Sequence, residues 1–111
     1  MSCILRISTL PADVRVPQVS LKPYRIEDGT AHFEVSGAEV DDLSKQVEDA
    51  ITFLQRHAED IRMMMNAASG GGVLDFAIER RDAAVQFDRF PAALVVEAGR
   101  LGLGLELSQF T

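Results

Sequence analysis

Residues 61 to 80 read "IRMMMNAASGGGVLDFAIER", and the fold turns on where periodicity changes within them. Upstream, Val40, Leu43, Val47, Ala50, Ile51, Leu54, Ala58, Ile61 and Met65 are spaced by threes and fours. At about 100° per residue these positions share one helical face. Lys45, Glu48, Asp49, Thr52, Arg56 and Glu59 take the other. Downstream, Leu74, Phe76 and Ile78 alternate with Asp75, Ala77 and Glu79, which is the period of a strand with one buried face. The pattern therefore predicts one long amphipathic helix from about 39 to 66, a connector over 66–72 and a strand from 73. Ser36 with Glu39, or Asp41 and Asp42, would cap the helix start, and Asp41–Lys45 and Arg56–Asp60 have i,i+4 ion-pair spacing.

The methionines and glycines at this junction invite a chemical reading, which geometry removes. Consecutive side chains on a helix diverge by about 100°, so Met63, Met64 and Met65 cannot aim their sulfurs at one ion. Met64 and Met65 fall on or near the apolar stripe and Met63 points away, as core-filling methionines at a helix end would. A phosphate-cradling glycine loop leads into a helix N-terminus, where amides and the positive dipole end face the anion. Gly70, Gly71 and Gly72 instead follow a helix C-terminus, where carbonyls repel anions.

Working outward, "SCILRISTL" (2–10) alternates Cys3, Leu5 and Ile7 against Arg6 and Ser8, and "AHFEVS" (31–36) alternates Phe33 and Val35 against His32 and Glu34. Both read as half-buried strands. Between them Pro11, Pro17 and Pro23 remove ladder donors and leave a connection with at most short edge pairing. After residue 80, Arg81 and Asp82 predict a tight turn into "AAVQF", where Val85 and Phe87 alternate, forming a hairpin. Pro91 opens a second helix with the stripe Leu94, Val95, Ala98 and Leu101, weakened by about 1 kcal/mol at Gly99 and closed by Gly102. Leu103, Leu105 and Leu107 alternate along a last strand. These elements predict a single α+β domain over residues 1–111. The expected form is a two-layer sandwich, an antiparallel or mixed sheet with two helices on one face, ferredoxin-like in the order β(β)αββαβ.

Composition narrows function by exclusion. With 111 residues, 47% hydrophobic and 25% charged, the chain is typical of a globular domain. Seventeen acidic against eleven basic side chains give a net charge of -6, which repels a nucleic-acid backbone and favours a basic protein partner. The single Cys3 allows no internal disulfide, the start carries no basic-then-apolar leader pattern, and no apolar run is long enough to span a bilayer. The expectation is a cytoplasmic protein that does not embed in a membrane.

No catalytic, metal-ligating or cofactor-binding motif stands out: CxxC, HxxxH and GxSxG are all missing. Cys3 and His57 sit where a core thiol and a border histidine belong. The sheet face left uncovered by helices would present Arg6, Ser8, His32, Glu34, Asp75, Ala77, Glu79, Gln86, Glu106 and Ser108. That face is acidic and lacks the stacking rings of an RNA-binding sheet. The leading expectation is a non-enzymatic interaction module that docks a basic protein through Glu34, Asp75, Glu79 and Glu106. The alternative is a small-molecule or catalytic cleft beside the 11–30 loop, lined by Cys3, Tyr24, Arg25 and His32, with Lys22 nearby. A third is a homodimer joined through an edge strand.

The run "FPAALVVEAGRLGLGLELSQF" (90–110) following "VLDFAIER" resembles a bacterial group, domain-of-unknown-function family 4279. There an apolar helix with small residues leads through a leucine- and glycine-rich turn into a last strand. The likeness covers the C-terminal two thirds, including the long helix. It implies a fold pattern and carries over no catalytic residue. By analogy alone, small acidic proteins of this kind include toxin-neutralising immunity proteins.

Overall fold

The computed structural model describes residues 1–8 and 20–110. The elements run β1 (Cys3–Ile7), β2 (Arg25–Glu27), β3 (Thr30–Ser36), α1 (Leu43–Arg56), α2 (Ala58–Ala67), β4 (Gly72–Glu79), α3 (Ala92–Arg100) and β5 (Leu103–Phe110). The chain is thus α+β, with a five-stranded mixed sheet in the order β2-β3-β1-β4-β5 and three helices. β1 is antiparallel to both β3 and β4, β2 is antiparallel to β3, and β4 and β5 are parallel. Residues 9–19, which include the end of the expected first strand and most of the proline-bearing connection, lie outside the described residues.

The expected order needs three corrections. First, "AAVQF" forms no strand, and Val85 and Phe87 are exposed rather than in the core. β4 already has β1 on one edge and β5 on the other, so a hairpin partner has no ladder to join. Gln86 substitutes for one at the strand's end. Its side-chain Nε2 donates to the Glu79 carbonyl at 3.2 Å, and its Oε1 accepts from the Arg81 N–H at 2.9 Å. Second, the long helix is two. His57, at φ -109° and ψ 19°, interrupts it, although His57 N–H still donates to Phe53 O and Ile61 N–H to His57 O. The apolar stripe runs through this bend in phase, so periodicity alone cannot register it. Third, the helix starts at Leu43, where the Asp42 carboxylate accepts from Lys45 N–H at 3.0 Å. This leaves Val40 outside the helix and exposed.

Ion pairing also departs from the i,i+4 expectation. Lys45 pairs with Asp49, not Asp41, at 3.2 Å. Asp60 accepts instead from Ser20 Oγ at 2.7 Å and Leu21 N–H at 3.1 Å, which ties the start of the 20–24 segment to α2.

One core joins the elements. Leu5, Ile7, Phe33, Leu74 and Phe76 from the sheet meet Ala50, Leu54, Ile61, Met64 and Leu94 from the helices. Met64 is buried, Met65 is half-buried and Met63 is exposed, as the helical wheel requires. At Gly72 an added Cβ would lie 2.7 Å from both Met65 Sδ and Leu103 Cδ2, so a larger residue would have to push these two side-chain ends aside where α2, β4 and β5 meet. The glycine run is no free tether. Ser8 N–H donates to Gly71 O and Gly70 N–H to Ser8 O, extending the β1–β4 pairing. Gly102, at φ +74°, closes α3 in the left-handed conformation expected of it. Asp28 and Gly29, both with positive φ, form the two-residue loop joining β2 to β3.

Candidate functional site

Two places draw together the charged and exposed residues: the sheet face that carries Arg6 and the carboxyl end of the strands.

On the first of these, Arg6 of β1 stands in register beside His32 of β3 and Val73 of β4. Its guanidinium donates to Asp75 Oδ2 at 2.9 Å and also pairs with Glu106 on β5. Ser108 Oγ donates to Asp75 Oδ1 at 2.7 Å. Burial opposes the charge on Arg6. The Asp75 hydrogen bond and the charges of Glu106 and Asp75 outweigh it, so the guanidinium pKa rises above its ordinary value. Asp75 and Glu106 are register partners on neighbouring strands, and without Arg6 two carboxylates would face each other. Of the four acids expected to bind a partner, these two are therefore engaged within the fold. Glu34 and Glu79 are exposed and make no salt bridge among the described residues.

The alternative pocket residues separate. Tyr24, Arg25 and His32 meet at the β2–β3 edge: Tyr24 N–H donates to His32 O at 2.9 Å, their ring centroids are 6.1 Å apart, and Arg25 is the register partner of His32. Burial, then the nearby charges of Arg25 and Arg6, lower the His32 pKa. Cys3 lies on the opposite face of the sheet, wholly within the core. Burial, reinforced by Asp75 and Asp49, pushes its thiol far above the ordinary range, so it stays protonated and is a poor nucleophile. No group of three or more metal-ligating side chains converges among the described residues.

β3, β4 and β5 all run in the same direction, antiparallel to β1, so their carboxyl ends and the start of β1 share one end of the sheet. Backbone bonds bind the loops there: Glu79 N–H to Val40 O, and Arg80 N–H to Phe110 O at 2.7 Å. Fully buried Gln46 on α1 braces them, its Nε2 donating to Glu39 O at 3.2 Å and Ala77 O at 2.7 Å. Arg81 donates to Phe87 O and pairs with Asp88 at 3.1 Å, shaping the segment after β4. Between that segment and the start of α1 lies an open cavity of about 550 Å³, lined by Asp41, Leu43, Val47, Phe87 and Arg89. Phe87 is 86% exposed and Val85 62%, with Val40 and Phe110 also exposed at this end. Around them Glu39, Asp41 and Glu79 are exposed acids with no salt bridge among the described residues.

Sequence reasoning missed this end because it placed Val85 and Phe87 inside. A signal was present in Gln46, a polar residue three positions from Leu43 and four from Ala50, on the flank of the apolar stripe. The chain matches no family model, no curated protein and no solved structure. No helix among the described residues is long and apolar enough to cross a membrane.

Proposed function

We propose that this chain is a non-enzymatic protein-interaction module that masks a basic partner, in the manner of immunity proteins. The observation that carries the reading is the carboxyl end of the strands. There Glu39, Asp41 and Glu79 are exposed and make no salt bridge among the described residues, near exposed Phe87 and Val85. Carboxylates steer a basic partner and fix its orientation, while the desolvated aromatic supplies most of the affinity. Glu34 can add to the same field. Asp75 and Glu106 contribute less, because Arg6 already offsets their charge. Nucleic acid and membrane are not partners in this reading, no cofactor is required, and the setting is cytoplasmic.

The same proposal covers the architecture. A two-layer sandwich with the helices over one sheet face is supported by their shared core. The β3–α1–α2–β4 crossover, which leaves antiparallel β1 between two parallel strands, is the part held in common with a ferredoxin-like order. The likeness to domain-of-unknown-function family 4279 rests on the residue pattern of 73–110.

The test is affinity capture from a lysate of the source organism at low and high salt, with wild type and the E39K/E79K double variant as baits. Polylysine serves as a control for indiscriminate charge binding. The expected result is one basic protein held by wild type, weakened by salt, and bound about tenfold more weakly by the double variant. A partner indifferent to both salt and charge reversal would remove this surface. A second reading, a small-molecule domain, is favoured by the cavity of about 550 Å³, within the usual range for ligand sites. It would use that cavity; the cleft expected beside the 11–30 loop falls largely outside the described residues.

A further inference from the structure

The two edges of the sheet are not alike. Among the described residues, β2 ends one side with three exposed residues, two of them the ion pair Arg25–Glu27, shortly after Pro23, which has no N–H. Short length, charge and proline are the usual devices that stop an edge from pairing. β5 ends the other side with eight residues in unbroken register against β4, with no proline, no bulge and one charged side chain. Its outer backbone donors and acceptors form a straight template for another strand.

α3 packs on β5 beside this edge. Leu94 and Ala98 face the core, whereas Val95 and Val96 are 49% and 48% exposed. The charges here are paired within the fold: Glu106 with Arg6, which Asp75 shares, and Glu97 with Arg100 at 3.7 Å. Nothing along this edge selects a basic partner. A strand with a single charged side chain, itself paired to Arg6, and an exposed valine pair beside it fits an identical strand and an identical valine pair. Repulsion between the two Glu106 carboxylates is reduced, because each pairs with an Arg6 that it shares with Asp75.

We infer that two copies of this chain associate through β5, antiparallel about a two-fold axis, so that one sheet continues across the pair. The interface is isologous, with Val95 and Val96 of each α3 flanking the joined strands. This surface is separate from the carboxyl end proposed to meet a basic partner, and either reading can fail without the other.

The experiment combines sedimentation equilibrium from low micromolar to near-millimolar protein with amide hydrogen exchange over residues 103–110. Wild type is expected to dimerise with rising concentration, and alternate β5 amides, those facing the outer edge, to gain protection in step. V95K/V96K changes only half-exposed positions, so the monomer folds while the dimer weakens by at least about tenfold. A monomer at every concentration overturns the inference. So does a dimer that leaves β5 exchange unchanged, or one indifferent to V95K/V96K. A monomer whose outer β5 amides are already protected would mean the edge is covered within one chain, and also overturns it.

Discussion

Arg6 shows how one side chain can reverse the meaning of its surroundings. From alternation alone it shares a face with Glu34, Asp75 and Glu106, and that face counts as acidic. Register places it diagonally across from Asp75 on β4, and the guanidinium reaches both Asp75 and Glu106. Replacing it with alanine leaves Asp75, which is largely buried, facing Glu106 across the β4–β5 ladder with no counter-charge. Arg6→Ala should therefore destabilise the fold at neutral pH by about 2 kcal/mol, the Glu106 share being the smaller because that carboxylate is half exposed. Arg6→Met, which keeps the aliphatic stem and removes the charge, should lose about as much. Urea unfolding of the three proteins measures this. A loss in Arg6→Ala that Arg6→Met restores would mean that Arg6 acts through packing and not charge.

Among the elements, α1 was the most legible and still incomplete. Its stripe, its apolar partners and its capping by Asp42 follow from spacing and side-chain chemistry. The bend at His57 does not, because Leu54, Ala58 and Ile61 remain in phase across it. Gln46 was read as neither core nor site, yet it links α1 to the β3–α1 loop and to β4. Gln46→Ala removes two hydrogen bonds to part-buried carbonyls and opens a cavity. The expected cost is about 2–3 kcal/mol, seen as a lower thermal midpoint, with faster amide exchange around Val40 and Glu79. If the midpoint falls but exchange there is unchanged, Gln46 fills space without bracing the carboxyl end. The misread hairpin has a similar origin. Val85 and Phe87 alternate as strand residues do, but alternation cannot say whether a neighbouring strand has a free edge.

For the whole molecule, acid stability separates two kinds of group. Asp49 has its pKa lowered chiefly by the Ser36 hydrogen bond, with Lys45 assisting against burial; Asp60 is lowered chiefly by Ser20, with Leu21 N–H assisting. Groups lowered in this way stabilise the fold above the ordinary carboxylate value of 3.8, and that contribution is lost as pH falls through their folded pKa. His32, lowered chiefly by burial, is neutral above its ordinary 6.5. Below that value the unfolded chain takes up the proton first, so stability begins to fall there. Unfolding midpoints in urea across acid pH should show a shallow decline below 6.5 that His32→Gln removes. A steeper decline below 3.8 should be lessened by Asp49→Asn with Asp60→Asn. A profile flat between 6.5 and 3.8 in wild type would show that His32 titrates alike in both states.

The sequence by itself determined the class of the fold and the inward face of most elements, because periods of 2 and 3.6 follow from backbone geometry and burial. It also determined that Cys3 is core and that the methionine and glycine run is a helix end meeting a strand. Tertiary structure alone decided which strands are neighbours, and with them which charges cancel. Pairing Asp75 and Glu106 with Arg6, exposing Phe87, and leaving β5 at the edge of the sheet among the described residues all depend on contacts between residues distant in sequence. Local periodicity carries no information about such contacts.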